Sequence, residues 1–223
     1  MKKNKKMIFQ ILIMACMISA CSIPETKSGS EKSDTMGSQK EDTAYYTKIT
    51  AGWPVYESAE KLIDAGKIVI IGEVTDISFK ILNKETSEET DSKDENGYLH
   101  TIYRVKVECN LKGNTTDEIQ IQMIGGRDDI KVEEQLSVLG DNSCYGIPIL
   151  VGMRNIEVGK KYLFVLHQYR EKMPTLINVD QGVFSLEEPL KKDETSIVSL
   201  KEVISKFGDE TWNNCVKKFG IEE

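Results

Sequence analysis

Apolar and polar residues alternate over residues 98–111. Tyr103, Val105, Val107, Cys109 and Leu111 fall on one side, and Arg104, Lys106, Glu108 and Asn110 on the other. A period of two predicts a half-buried strand, with Cys109 on its apolar side as a core thiol. Lys112-Gly113-Asn114 reads as a turn. Residues 118–124 return with Ile119, Ile121 and Met123 inward, so the pair predicts a long antiparallel hairpin. Upstream, Ile68-Val69-Ile70-Ile71 is a continuous apolar run within a strand over 67–78, which predicts burial on both faces. Gly72 interrupts it, as a bulge or tight bend would. Residues 161–169 repeat the pattern of a buried strand, and 175–179 and 182–186 are shorter strand candidates.

Helical spacing flanks these strands. Ala59, Leu62 and Ile63 predict a helix after Trp53-Pro54, stopped at Gly66. Near the C-terminus Ser199 and Glu202 form a capping box ahead of Leu200, Val203, Ile204 and Phe207. Gly208 ends that helix. Asp209 is expected to cap a second one carrying Trp212, Cys215, Val216 and Phe219, with Gly220 as its stop. Two polar stretches stand out: 84–97, an acidic hairpin loop, and 125–158, a long Gly-containing segment in which 135–139 is expected to pair as a short strand. Loops of that length in a compact domain are commonly functional.

The predicted class is therefore mainly β with flanking helices: an antiparallel β-barrel with an N-terminal helix and C-terminal helices. Five pieces carry a resemblance to OB-like barrels. They are Ile70-Ile71-Gly72-Glu73-Val74, Tyr103-Arg104-Val105-Lys106-Val107, Leu111-Lys112-Gly113, Gly159-Lys160-Lys161-Tyr162-Leu163-Phe164 and Gln181-Gly182-Val183-Phe184. The same pieces resemble the netrin-like and metalloproteinase-inhibitor barrels built on that plan. In the inhibitor family a Cys at the mature N-terminus meets a catalytic metal. Here that position would be Cys21 on a long tether, so the mechanism does not transfer.

The start of the chain has a different character. Lys2, Lys3, Lys5 and Lys6 precede an apolar run over 7–18, and small residues lead to Cys21. This is the pattern of a secretory signal, too short for the roughly 20 apolar residues of a membrane span. Ile18-Ser19-Ala20-Cys21 resembles the lipobox of bacterial lipoproteins. The resemblance implies a diacylglyceryl group on the Cys21 thiol and cleavage before it, with residues 1–20 removed. Each buried methylene contributes about 0.8 kcal/mol, so two acyl chains hold where one binds marginally. Residues 21–45, rich in Ser, Lys, Glu, Asp, Thr and Gly, would form a flexible tether, and 46–223 a single domain. The expected location is the extracytoplasmic face of a cell membrane, lipid-anchored.

Charge narrows the partners. The chain carries −7; residues 1–20 contain four lysines and no acid, so the chain without them carries −11. No basic patch for nucleic acid is visible. Beyond Cys21, and leaving out Cys16 in the signal, the cysteines are Cys109, Cys144 and Cys215. A Cys144–Cys215 bridge is one pairing that an oxidising compartment permits. His100 and His167 are the two histidines, expected at edges or on the surface. Neither sits in an H-E-x-x-H helix, and no G-x-S-x-G elbow accompanies them. Asp91, Asp94 and Asn96 before Gly97 lack the closing Glu of a calcium loop and read as a solvated turn. Gly125-Gly126-Arg127 lacks the ending of a phosphate loop. Trp53, Tyr56, Trp212 and Phe219 are expected in the core rather than as exposed binding aromatics.

No catalytic residue, cofactor or metal ligand is assigned. The leading expectation is a non-catalytic binding or interaction module for an envelope or extracellular protein, reading its ligand through 84–97 and 125–158. The alternatives are a protease-inhibitor-like barrel and an envelope hydrolase in which His167, Cys144 and a carboxylate converge.

Overall fold

The computed structural model describes residues 46–187 and 197–221. All of them belong to one compact unit, Asp42–Glu223; the other unit is Met1–Glu41. The expected signal, Cys21 and the expected tether over 21–45 lie outside the described residues. In chain order the elements are β1 (Tyr46–Ile49), α1 (Ala59–Ala65), β2 (Ile68–Asn83), β3 (Gly97–Lys112), β4 (Glu118–Ile124), α2 (Val132–Leu139) and β5 (Ile147–Leu150). β6 (Lys161–His167), β7 (Thr175–Leu176), β8 (Val183–Ser185), α3 (Leu200–Ser205) and α4 (Asp209–Phe219) follow.

Five strands close a barrel in the order β2-β3-β4-β7-β6, sealed by the antiparallel β2–β6 pairing. Numbered within the barrel, the order is first, second, third, fifth, fourth and back to first, the OB-like arrangement. Every barrel pairing is antiparallel except β4–β7, where Gln122 and Thr175 pair in parallel. β8 extends the sheet beyond β6. A separate parallel ribbon joins β1 to β5.

The apolar runs behave as their continuity requires. Ile68, Ile70 and Val74 point into the barrel with Tyr103, Val105, Ile121, Phe164 and Leu166. Val69 and Ile71 point out, joining Leu163 and Val165 under a layer made by Leu62, Phe184, Val203, Ile204 and Trp212. β2 and β6 are thus covered on both faces, by core on one and helices on the other. The helix ends use local capping chemistry, part of it expected; α3 stops at Ser205 with Lys206 as its C-cap, not at Gly208. Ser58 caps α1, Gly66 follows it, and the Ser199–Glu202 capping box opens α3. Gly208, rather than Asp209, is the N-cap of α4, and Gly220 ends it at φ 66°.

Three further sequence expectations need correction. First, the alternation in β3 does not persist to its end. Ile71 pairs with Cys109 but Gly72 with Val107, so Glu108 is an extra residue in the ladder. One inserted residue moves everything beyond it to the other face. Tyr103, Val105 and Val107 therefore face the barrel interior, while Cys109 and Leu111 face the helices. Gly72 sits at this bulge because a Cβ there would lie 2.6 Å from the Lys106 carbonyl oxygen and from Val105 Cγ1. Second, 135–139 is not a strand. It lies in α2, whose Val132, Leu136 and Leu139 pack on the barrel core at helical spacing. Third, His100 is buried at 8 % exposure, not at the surface.

Candidate functional site

The 125–158 segment is a structured flank of the barrel, not an open loop. From β4 the chain passes through Gly125 and Gly126, rises into α2, turns through a short 3-10 helix and returns as β5. Gly126 bridges to Ile149. Any side chain there would strike Gln135 and Ile147. The close approach lets a helix side chain reach the backbone of Arg127.

Arg127 is the chemical centre of this region. It is 6 % exposed. Its Nε and Nη2 donate to the two Asp129 carboxylate oxygens at 2.8 and 2.5 Å, and further N–H groups reach Asn155 Oδ1 and the Ile156 carbonyl. The planar guanidinium fork suits such a divided set of acceptors. Burial opposes the Arg127 charge, but Asp129 and the neighbouring Tyr103 outweigh it and its pKa is raised. The hydrogen bond from Arg127 holds the Asp129 carboxyl below its ordinary range. Beneath lies Tyr103, fully buried, its hydroxyl without a hydrogen bond of normal geometry. Burial pushes its pKa up to about 12, with the Arg127 charge pulling the other way.

Two grooves open from this centre. One, of about 420 Å³, runs from Lys48 past Gly126–Asp129 to Ile149–Asn155. The other, of about 310 Å³, is lined by Glu157, Lys160, Tyr162, Val183 and Ser185. Arg154 and Asn155 line both, so the two grooves meet there. Arg154 is paired with Asp180 at 3.0 Å and Lys160 with Glu187 at 2.9 Å. Lys48 has no ion pair among the described residues. It shares a face of β1 with Tyr46, whose hydroxyl donates to the Asp128 carbonyl. Ile149, Leu150, Val151 and Met153 supply an apolar lining. The groove thus has Lys48 and the paired Arg154 at its margins, Asp128 and Asp129 within it, and apolar residues along it. No protein-family model matches this chain, and no curated protein does.

The two nominated segments meet at one place. Asn142 donates to the Ser92 carbonyl, and Lys93 lies 3.6 Å from Asp141. The 84–97 loop is internally satisfied. The Asp94 carboxylate accepts from the Asn96 N–H, Thr90 and Asn83, and these bonds lower its pKa. Asp91 caps the Lys93 N–H. Among the described residues no group of three or more His, Cys, Asp or Glu side chains is placed to hold a metal.

His167 closes β6 opposite Thr175, and Cys144 is exposed in the 3-10 turn. Neither lines either groove. His100 Nδ1 donates to the Tyr98 carbonyl at 2.8 Å, and burial lowers its pKa. Trp212 is buried, while Trp53, Tyr56 and Phe219 pack partly buried against the two apolar clusters. The pairing of Arg127, Gln135, Asn155 and Arg154 with their partners is not visible in the sequence. One signal was present: Gln135 occupies an inward position of an otherwise apolar helix face.

Proposed function

We propose that this protein is a lipid-anchored, extracytoplasmic binding module that holds an extended segment of an envelope or extracellular protein in the groove beside β1. One observation carries the reading. The groove with apolar lining and marginal Lys48 and Arg154 borders β1, which among the described residues pairs on one side only, with β5. An open strand edge offers backbone hydrogen bonds to an extended peptide, while adjoining pockets choose its side chains. OB barrels commonly bind through sheet faces and adjoining loops. The lipobox-like string ending in Cys21 supports the anchoring, and no described helix is long and apolar enough to cross a membrane.

The test is a photo-crosslinking residue in place of Lys48, expressed in the intact source cell, with captured proteins identified by mass spectrometry. One dominant partner, lost on Arg154→Glu with the melting temperature unchanged, is the expected result. Capture unaffected by Arg154→Glu, or no capture, rejects the groove as the binding site. Cys21→Ser in the same cells is expected to move the protein from the membrane fraction to the soluble one; retention on the membrane rejects the anchor.

A further inference from the structure

α4 crosses β3 just beyond its bulge. Lys218 Nζ donates to the Glu108 carbonyl at 3.0 Å. Cys215 lies one turn back along α4 from Lys218, and Cys109 is the next residue along β3 from Glu108. Both cysteines line one cleft of about 360 Å³, together with Leu111, Phe207, Thr211 and Phe219. Burial raises the pKa of the Cys215 thiol, and the Cys109 thiol beside it raises it further. Two thiols from distant parts of the chain have thus been brought to the same side of the barrel. The bulge decides this: without Glu108 as an extra residue, Cys109 would point into the barrel.

We infer that Cys109 and Cys215 are a redox-active pair that closes to a disulfide, fastening α4 to the barrel wall and leaving Cys144 as the free thiol of the domain. Cys109, half-buried, is the more accessible of the two and attacks first. With glutathione disulfide as oxidant, the Cys109 thiolate displaces one glutathione thiolate and forms a mixed disulfide. The Cys215 thiolate then attacks the Cys109 sulfur and displaces the second. Two protein thiols and one glutathione disulfide become one protein disulfide and two glutathiones, and the two electrons leave with the glutathione. The bond requires Cα atoms within about 7 Å of each other, so its formation also reports how closely α4 lies on β3. The inference rests on residue placement and not on where the protein resides.

The experiment uses the purified full chain in glutathione redox buffers, quenched in acid, denatured, alkylated and mapped by mass spectrometry without reduction. The expected product is a cross-linked peptide pair containing Cys109 and Cys215, lighter by two hydrogens, with Cys144 alkylated. Cys144→Ser should form the same bond. The oxidised chain should melt roughly 5–10 °C above the reduced one, because the closed loop restricts the unfolded ensemble. Alkylation or single glutathionylation of both Cys109 and Cys215, or a bridge from either to Cys144, overturns the inference. Its failure leaves the groove reading untouched, since the crosslinking at Lys48 does not depend on either thiol.

Discussion

The Gln135 side chain holds both backbone groups of Arg127. Its Oε1 accepts from the Arg127 N–H at 2.8 Å, and its Nε2 donates to the Arg127 carbonyl at 2.7 Å. The same Nε2 donates to the Ile130 carbonyl at 2.7 Å. A fully buried amide thus substitutes for a neighbouring strand at one residue. Gln181 treats Tyr56 in the same way, accepting from its N–H and donating to its carbonyl, both at 2.8 Å. The first clip shapes the groove centre, and the second pins the segment that precedes α1.

Gln135→Leu keeps the volume of the side chain and removes its polar atoms. Buried backbone groups of Arg127 and Ile130 then lose their partners. A loss of about 2–4 kcal/mol is expected, from one to three kcal/mol for each stranded group with partial relaxation. Urea denaturation checks the value, and a change under about 0.5 kcal/mol contradicts the assigned bonds. Gln181→Leu should fall in the same range.

Gly72→Ala places a methyl against the Lys106 carbonyl oxygen and Val105 Cγ1, both at 2.6 Å. The obstacle includes backbone of the paired strand, which cannot rotate away. Destabilisation of about 1–3 kcal/mol follows from overpacking. An Ala variant as stable as the parent would mean that the bulge lies elsewhere.

Asp129→Ala takes the counter-charge from a guanidinium that is 6 % exposed, while the Asp129 side chain is 40 % exposed. Water reaches that side of the pair, so the loss should stay near 1–3 kcal/mol, below the roughly 3–5 kcal/mol seen when a fully buried pair is broken. Arg127→Lys keeps the charge but not the fork, and one ammonium cannot serve Asp129, Asn155 and Ile156 in the same directions. About 2 kcal/mol is expected for it. Calorimetric melting of the two variants checks both figures.

His100 sets a pH window. Burial lowers its folded-state pKa, while its hydrogen bond to Tyr98 opposes the shift. A group depressed on folding leaves stability complete above the unfolded value of about 6.5. As pH falls through that value the unfolded chain takes up the proton first, so stability declines until the folded-state pKa is passed. The melting temperature should therefore drop as pH falls below about 6.5. His100→Gln should flatten that slope. Asp129, lowered by Arg127, acts in a separate window: its contribution is present above about 3.9 and is lost as pH falls below it.

Much of the barrel was legible in one dimension because its strands announce themselves locally. The buried runs of β2 and β6, the turn at Gly113, the Ser199–Glu202 box and the Gly66 and Gly220 stops all depend on neighbours within a few residues. Residues 135–139 are too few to separate a strand from a helix by periodicity, and Gln135 interrupts the apolar face of α2. That break is where the functional reading lay hidden, since an inward amide signals a backbone group awaiting a partner.

The amino-acid sequence by itself determined the class of the domain, the order of the barrel strands and of α1, α3 and α4, its acidic balance and the signal-like start. Periodicity, capping and turn preference are local properties, and charge is a sum. Only the tertiary structure decided that β3 changes face at Glu108, that Cys215 shares a cleft with Cys109 and not with Cys144, and that Arg127 is buried among Asp129, Asn155 and Ile156. Each depends on strand register or on contacts between residues far apart in the chain. A single inserted residue reverses every side chain beyond it, and no local pattern records which partner the opposite strand presents.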